Sequence, residues 1–496
     1  MFHPSLEEFK ALARPGALVP VYREILADLE TPVGAYMKAA LHQPYAFLLE
    51  SVEQAGTLSQ YSFIGANPSI VFCAKGNDGW IQRDGHRETF SAPNPLDTLR
   101  ELMKDYDPIS IKGVPPFHGG AVGYLSYDQV RFFETLPDKN PDAMHLPDLY
   151  FMLTDTILIF DHANNRIKIV SNVHVKDDPE GAYNEGVSKI RQLEALLRGA
   201  VPEAAAKVSP CANANGAIES NFSQEQFCAA VRSAKEYICA GDIFQVVLSQ
   251  RFKRKTEASP LTLYRALRSI NPSPYMLLMQ FPDFALVGSS PEVMTQVKGG
   301  SVMVRPIAGT RPRGHTAEED AALEADLMSD EKELAEHIML VDLGRNDLGR
   351  VSKPGTVAPV ARKKMVVERY SHVMHIVSEV IGVMREDCDA FDALAATFPM
   401  GTVSGAPKIR AMEIIDELEP ERRGPYSGGC GYISYAGDMD TCILIRTMVL
   451  KDGVAYLQAG AGIVYDSDPQ REYEETLNKA KVLFRAVDFA EKGLES

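Results

Sequence analysis

The sequence predicts an α+β protein in which large mixed or antiparallel β-sheets pack as a sandwich and are flanked by helices. In the first half of the chain, short strand-like segments at 45–49 and 69–74 alternate with many Gly and Pro turns. In the second half, residues 440–450 form an apolar run rich in β-branched side chains, which is typical of a buried strand. The helical spacing of apolar residues predicts flanking helices over 181–198, 331–350 and 471–491.

Length, composition and charge are those of an ordinary globular protein. The 496 residues, 45% hydrophobic and 24% charged, allow about two to four domains or one extended body. A net charge of −16 without a Lys/Arg cluster argues against nucleic-acid binding. The sequence contains no apolar run long enough to span a bilayer and no signal-peptide pattern over Met1–Pro20, and its seven scattered cysteines fit a reducing cytoplasm. We therefore expect a cytoplasmic protein that binds neither nucleic acid nor membrane.

The composition changes in the middle of the chain. Over 196–220, Ala, Pro, Asn and Ser replace the periodic apolar residues, which indicates a linker. A helix near 223–240, with Ser223 as its N-cap, follows this segment. The sequence therefore predicts an N-terminal portion (1–210) and a C-terminal portion (211–496).

One segment of each portion is similar to the other. GGAVGYLSY (119–127) resembles GGCGYISY (428–435). Two interpretations are open: related strands that lie side by side in one sheet system, or chance similarity between glycine-containing strands.

Arg446 lies in the middle of the predicted strand at 440–450. On a single pleated strand its side chain would share a face with Leu444 and Met448, so the guanidinium would enter an apolar layer. Burying an unpaired cation costs on the order of several kcal/mol. The position therefore requires an anion, which is either the carboxylate of a ligand or an internal Asp or Glu.

The two predicted helices at 331–350 and 471–491 each carry acidic residues three positions apart. These are Glu333 with Glu336, and Glu472 with Glu475. Carboxylates from two helices, with water at the remaining positions, suit Mg²⁺, which takes few protein ligands. The alternatives are solvated glutamates and an i, i+4 ion pair between Glu475 and Lys479.

Gly460, Ala461 and Gly462 follow a predicted strand at 454–458. Glycines here would let backbone N–H groups approach a ligand oxygen closely, whereas a β-bulge or turn is the simpler structural explanation. No helix opens after them, so they are not a dinucleotide-binding fingerprint. The string GTVSGAPK (401–408) lacks the ending of a phosphate-binding loop, which argues against a nucleoside triphosphate site.

His375 and Glu292 are candidates for proton transfer. His375 belongs to a predicted strand at 371–380, where a histidine is either a catalyst or a buried structural residue. Glu292 follows Pro291 among apolar neighbours, and burial there would raise its pKa into the range of a general acid. A solvated strand edge is the alternative for Glu292.

Six strings, in order along the chain, resemble those of the chorismate-utilising enzymes, most closely the branch that makes anthranilate. LLES (48–51) and NPSPYM (271–276) extend the similarity over nearly the whole chain. Six ordered strings with matching spacing are far more specific than any one alone. They are PIAGTRPRG (306–314), AEHIMLVDLGRND (335–347), GTVSGAPK (401–408), RGPYSGGCGYISY (423–435), DTCILIR (440–446) and QAGAGIV…EYEET (458–476).

The resemblance implies a Mg²⁺-dependent lyase of tryptophan biosynthesis that converts chorismate and ammonia into anthranilate and pyruvate. It implies that Glu336 and Glu475 bind the metal, while Glu333 and Glu472 hold metal-bound waters. Arg446 and Tyr426 would take the enolpyruvyl carboxylate of chorismate. The implied substrate contacts are Gly309, Thr310, Tyr426, Arg446, Gly460, Ala461 and Gly462, and the implied catalytic residues are His375, Glu292 and Thr402.

Two positions select the anthranilate branch. Relatives that make aminodeoxychorismate, the alternative product, often carry a lysine where this chain has Ala308. Relatives that make isochorismate or salicylate carry a lysine base where this chain has Gln245, and an uncharged side chain favours ammonia over activated water. A non-catalytic, amino-acid-binding regulator with the same fold is the alternative from another class.

The resemblance also implies feedback inhibition by tryptophan and a partner subunit. The inhibitor pocket would be formed by Glu50, Ser51, Pro274, Tyr275 and Met276, with the Glu50 carboxylate on the ammonium group and Tyr and Met on the ring. No segment of the chain resembles a glutamine amidotransferase. The ammonia would therefore come from a separate glutaminase subunit, component II, in a hetero-oligomer.

Overall fold

The computed structural model describes residues 1–52, 60–203, 208–211, 216–370 and 373–495. It confirms the predicted α+β class, with two large and almost entirely antiparallel sheets that pack face to face and helices on their outer faces. Part of the predicted linker, at 204–207 and 212–215, lies outside the described residues.

The larger sheet has 14 strands among the described residues. Two short strands lie off its main path: Asp107–Pro108 pairs with the second strand, and Gly405–Ala406 pairs with the eleventh. From edge to edge the main path runs Phe2–His3, Ala17–Leu26, Arg166–His174, Thr156–Asp161, Tyr61–Ala66, Ala46–Glu50, Tyr275–Gln280, Phe284–Ser290, Thr447–Lys451, Val454–Ile463, Gln245–Lys255 and Glu219–Ser220.

The smaller sheet has 11 strands within the described ranges, and a third sheet has three. The smaller sheet runs Ala358–Pro359, Val380–Val383, Ser301–Val304, Val293–Lys298, Met439–Ile443, Gly429–Ser434, Gly120–Leu125, Leu149–Thr154, Ile70–Lys75, Asp78–Arg83 and His86–Ser91. The third runs Ile307–Pro312, Val373–Val377 and Val366–Arg369.

The helices begin and end close to the predicted positions. Ser223 caps one of them as predicted, because its hydroxyl accepts the Gln226 N–H at 3.2 Å in a capping box. We call Glu331–Gly349 the first acidic helix and Pro469–Glu491 the C-terminal helix. The others are Leu6–Leu12, Pro32–Ala39, Pro95–Lys104, Pro179–Leu197, Gln224–Ala240, Pro260–Ile270, Ala317–Ser329, Ala390–Thr397 and Lys408–Leu418, with short 3₁₀ turns at Tyr127–Phe132, Ala361–Lys363 and Gly401–Val403.

Both portions of the chain supply strands to both large sheets. In the larger sheet Ala46–Glu50 pairs with Tyr275–Gln280, and in the smaller one Gly120–Leu125 pairs with Gly429–Ser434. The second pairing joins the two similar segments, with Gly123 opposite Gly431. This confirms the interpretation of the similarity as two strands lying side by side.

Three apolar layers account for the stacking. One lies between the two large sheets, where Phe47 and Leu277 of one sheet meet Tyr124 of the other. The second packs helices on the outer face of the larger sheet, and the third packs helices on the outer face of the smaller sheet. In the part of the chain that is described, no helix combines the length and apolar character needed to cross a membrane. All seven cysteines are free thiols.

Candidate functional site

Arg446 lies where the chain passes from one large sheet to the other. The sequence predicted one continuous strand over 440–450, and this is wrong: Met439–Ile443 belongs to the smaller sheet and Thr447–Lys451 to the larger. The chain must turn sharply to pass between the sheets, and it does so at Arg446, whose backbone is left-handed with a φ of 51°. Leu444 and Met448 consequently contribute to different core layers and do not share a face with each other.

The neighbouring chain segment makes the same switch. Phe284–Ser290 belongs to the larger sheet and Val293–Lys298 to the smaller, so Glu292 lies at this second crossing. The two crossings are tied together, because Ser289 N–H donates to the Arg446 carbonyl at 3.1 Å and Ile443 N–H donates to the Glu292 carbonyl at 3.0 Å. Strand corners of this kind bring side chains of two sheets to one edge.

The Arg446 guanidinium has no acidic partner within salt-bridge distance among the described residues. Its Nη1 donates only a long bond, 3.3 Å, to the Lys479 carbonyl. Burial lowers its pKa, and the nearby Tyr426 and Glu475 partly oppose this shift. Arg446 lines a cavity of about 500 Å³ together with Thr310, Glu475 and Lys479. The guanidinium is therefore placed to bind an anion that enters this cavity.

Gly460, Ala461 and Gly462 lie inside the strand Val454–Ile463, so the turn or bulge interpretation is wrong. A Cβ on Gly460 would lie 2.8 Å from the Tyr426 hydroxyl, and one on Gly462 would lie 2.7 Å from Gln245 Nε2. Glycine is needed at position 460, because a Cβ there would also lie 2.9 Å from the Leu248 carbonyl, whereas at position 462 the Gln245 side chain would have to move.

Both acidic helices reach this glycine strand. From the C-terminal helix, Lys479 Nζ donates to the Gly460 carbonyl at 2.9 Å and pairs with Glu475 Oε1 at 2.5 Å. From the first acidic helix, Glu336 Oε1 accepts Gln245 Nε2 at 2.9 Å, beside Gly462. The structure thus brings Glu336, Glu475 and the glycines together, and the ion pair between Glu475 and Lys479 is formed.

Glu333 and Glu472, the other two acidic residues predicted for this site, lie close to Glu336 and Glu475 respectively. Burial and the neighbouring Glu336 raise the pKa of Glu333, while burial and Glu475 raise the pKa of Glu472. No three His, Cys, Asp or Glu side chains of the described residues form a ready metal cluster. A group of neighbouring carboxylates still fits a cation that takes two protein ligands and keeps its waters, so the donor set is compatible with Mg²⁺.

His375 lies beside Gly309 and Thr310 in the three-stranded sheet, while His372 lies outside the described residues. Its Nδ1 is 2.9 Å from the Gly309 carbonyl and 3.1 Å from the Thr310 hydroxyl. Burial lowers its pKa, as does Arg446. We assign the proton to Nδ1, because the carbonyl can only accept, which leaves Nε2 of a neutral ring as an acceptor.

Glu292 is buried, with 6% of its surface exposed, which excludes the solvated strand edge. Burial raises its pKa to about 8, although Thr402 and Lys479 both oppose this shift. Its Oε1 has no hydrogen-bond partner among the described residues. Glu292 is therefore largely protonated at neutral pH and can donate a proton.

A second cavity, of about 180 Å³, lies between the two large sheets. All five residues expected for the tryptophan pocket line it: Glu50, Ser51, Pro274, Tyr275 and Met276. The buried Ser51 hydroxyl has no hydrogen-bond partner among the residues described.

The expected contact of the Glu50 carboxylate with a ligand ammonium is not supported. Glu50 alternates with Leu49 along the strand, so its side chain shares the outer face with Leu48. There its carboxylate pairs with Arg268 at 3.0 Å and accepts the Tyr264 hydroxyl at 2.6 Å.

The sequence reasoning gave no role to Asp440 or Lys479 in these sites. Asp440 lines the intersheet cavity and accepts the Tyr275 hydroxyl at 2.7 Å. It lies directly opposite Tyr432 in the ladder, so a hairpin pairing of 429–434 with 439–443 could have located it. Lys479 was considered only as a competitor for Glu475, yet it also bonds Gly460.

Fold and site together define an enzyme of the chorismate-binding class. The sequence profile described as chorismate binding enzyme matches residues 45–485, and the chain belongs to this family.

The chain is similar to anthranilate synthase components over nearly their full length. The chain is 48% identical to anthranilate synthase component 1 of Acetivibrio thermocellus and 47% identical to that of Pseudomonas aeruginosa, each over 99% of both chains. The crystal structure of anthranilate synthase component I from Streptococcus pneumoniae TIGR4 covers 92% of this chain and 98% of its own, with 38% identity and a TM-score of 0.76. A menaquinone-specific isochorismate synthase from Escherichia coli, 18% identical with a TM-score of 0.70, shares the fold.

Proposed function

We propose that this protein converts chorismate and ammonia into anthranilate, pyruvate and water. The observation that carries the proposal is Arg446, which has no acidic partner among the described residues and lines a cavity with Thr310, Glu475 and Lys479. The glycine strand lies next to this cavity, because Lys479 bonds the Gly460 carbonyl. Chorismate carries two carboxylates, so it supplies the anion that this guanidinium lacks. The full-length similarity to anthranilate synthases supports the same assignment.

Two groups of residues would hold the substrate. Arg446 and Tyr426 would bind the enolpyruvyl carboxylate, since Tyr426 lies within the electrostatic reach of Arg446. The other carboxylate would lie against the glycine strand, where Lys479 adds a positive charge beside Gly460. Thr310 and the Gly309 backbone would close the opposite wall, near His375.

The reaction needs two leaving groups to depart. In the first step, ammonia forms a C–N bond to the ring while the ring hydroxyl leaves with a proton as water. In the second step, the ring loses a proton and the enolpyruvyl group leaves as pyruvate, which gives the aromatic product. Glu292 is protonated at neutral pH and would supply a proton to a departing oxygen, while His375 Nε2 would accept one.

Glu336 and Glu475 would bind Mg²⁺, with Glu333 and Glu472 toward its waters, and the bound ion would stabilise negative charge on the substrate as a Lewis acid. The uncharged Gln245, which bonds Glu336, would leave water unactivated and so favour ammonia as the nucleophile. Ammonia would come from a separate glutaminase subunit, in a hetero-oligomer with this chain.

Tryptophan would inhibit the enzyme from the intersheet cavity. Its ring would pack against Tyr275 and Met276, and its polar groups would form a hydrogen bond with the Ser51 hydroxyl, which has no partner among the described residues. We assign the ammonium contact to Asp440, because the Glu50 carboxylate is already paired with Arg268.

The test is an assay of the purified chain with chorismate, Mg²⁺ and ammonium salt. We expect equal amounts of fluorescent anthranilate and of pyruvate, and inhibition by tryptophan. An aminated product without pyruvate would identify an aminodeoxychorismate synthase and overturn the proposal. Turnover lost on Glu336→Gln would exclude a non-catalytic regulator, because such a regulator would not need this carboxylate.

A further inference from the structure

Arg423 is a fully buried arginine beneath the candidate site, with 1% of its surface exposed. All five of its N–H donors are bonded within the protein. Nε and Nη2 donate to the Glu419 carboxylate at 2.9 and 2.6 Å, Nη1 donates to the Val403 carbonyl at 2.7 Å and the Ser427 hydroxyl at 3.2 Å, and Nη2 also donates to the Val247 carbonyl at 2.7 Å.

The three acceptors other than Glu419 each belong to a residue within two positions of a candidate-site residue. Ser427 follows Tyr426, and Val403 follows Thr402. Val247 lies two positions after Gln245 on the same strand, so both side chains point to one face. The guanidinium carbon also lies 5.5 Å from the centre of the Tyr426 ring. One side chain therefore connects three segments that are distant in sequence.

Glu419, the ion-pair partner of Arg423, is also buried and hydrogen-bonded. It is 4% exposed, and its Oε1 accepts the Ser249 N–H and hydroxyl, both at 2.8 Å. A buried ion pair adds little net stability, because desolvation offsets the attraction between the charges. Its geometric effect is larger, since a planar fork with every donor bonded permits only one arrangement of its acceptors.

We propose that Arg423 is a positioning residue that sets Tyr426, Thr402 and Gln245 at their working separations around the substrate. This inference rests on the proposed function, because its effect is read as substrate binding and turnover. A lysine at this position could keep the charge pair with Glu419 but would lose the fork and the Tyr426 contact.

The test compares Arg423→Lys with Arg254→Lys. Arg254 is a matched control, because it is 4% exposed, lies on the same strand as Gln245 and forms a buried ion pair with Glu491 and a second pair with the exposed Asp488 at 2.6 Å. We expect Arg423→Lys to lower kcat/KM for chorismate by at least about tenfold, mainly through KM, since misplacements of about 1 Å cost up to about 100-fold. Arg254→Lys should keep the wild-type KM. Equal effects of the two variants on KM would overturn the proposal.

A double-mutant cycle with Tyr426→Phe separates positioning from a general structural effect. If Arg423 acts through Tyr426, the double variant should lose much less than the product of the two single losses. Fully multiplicative losses would overturn the proposal. Tryptophan affinity, measured by calorimetry, should stay unchanged in Arg423→Lys, because the intersheet cavity is a separate site.

If Arg423→Lys shows no cooperative thermal unfolding and so does not fold, Ser427→Ala is the variant that tests the proposal. It removes one acceptor of the fork and no charge, so we expect an unchanged melting temperature and a KM raised by about two- to fivefold. An unchanged KM would overturn the proposal. Wild-type protein that does not turn over chorismate would instead overturn the proposed function, and the positioning role with it.

Discussion

The substitution Glu292→Gln should stabilise the protein at neutral pH while removing a proton donor. Glutamine has the shape of the protonated carboxyl group but cannot ionise. Burial raises the pKa of Glu292 from 4.5 to about 8. Between these two pH values the folded protein therefore holds a proton that the unfolded chain has released, so wild-type stability falls as pH rises.

The size of this effect follows from the pKa values. Between pH 4.5 and about 8, each unit of pH lowers the wild-type free energy of unfolding by about 1.4 kcal/mol. The stability gained by Glu292→Gln should therefore be close to zero at pH 4.5, about 3 kcal/mol at pH 7 and about 5 kcal/mol above pH 8. Because Gln cannot donate a proton, kcat should fall by about 10²- to 10⁴-fold. Wild-type activity should decline as pH rises through about 8, where Glu292 ionises.

The free energy of unfolding can be measured by urea denaturation at pH 5.5, 6.5 and 7.5. The difference between Glu292→Gln and wild type should grow by about 3 kcal/mol over this range. Glu88→Gln, on an exposed strand, is the control and should show a constant difference. A stability difference for Glu292→Gln that does not change with pH, or a variant with wild-type kcat, would refute the reasoning.

Four further substitutions test the two cavities. Arg446→Met should stabilise the ligand-free protein by about 1 kcal/mol and raise the KM for chorismate at least about tenfold, since a half-buried cation without an acidic partner among the described residues is removed together with its ligand contact. A destabilised variant with unchanged KM would contradict this. Glu475→Gln should abolish the calorimetric heat of Mg²⁺ binding while the thermal unfolding transition remains, and an unchanged Mg²⁺ affinity would exclude Glu475 as a ligand. Ser51→Ala and Asp440→Asn should each weaken tryptophan inhibition by at least about fivefold with kcat retained, and inhibition equal to wild type would dismiss the proposed contacts.

The helices could be predicted closely because their signals are local. Apolar spacing and the Ser223 cap depend on neighbours within a few positions, so the predicted helix at 181–198 appears as Pro179–Leu197. The similarity of the two glycine-containing segments offered their pairing as one of two interpretations, and the structure confirms it in the smaller sheet. The candidate site residues were found through motif resemblance. Of these, Thr310, Arg446 and Glu475 line one cavity, and the five residues of the expected tryptophan pocket line another.

The sequence did not reveal where the chain changes sheets. Residues 440–450 are apolar throughout, and the break shows only as a left-handed backbone at Arg446, which is not a glycine. The direction of the Glu50 side chain was hidden for a similar reason. It depends on which face of its strand meets the helix carrying Arg268, a partner 218 positions away. Such contacts depend on tertiary packing and leave no local pattern.

The interleaving of the two portions has a consequence for biosynthesis on the ribosome. Ala46–Glu50 and Gly120–Leu125 are made long before their partners Tyr275–Gln280 and Gly429–Ser434. Until those partners emerge, each growing sheet ends in a row of open N–H and C=O groups beside a largely apolar surface, which invites pairing between nascent chains. We expect the N-terminal portion expressed alone to aggregate, and separately made portions to become soluble only when they are refolded together.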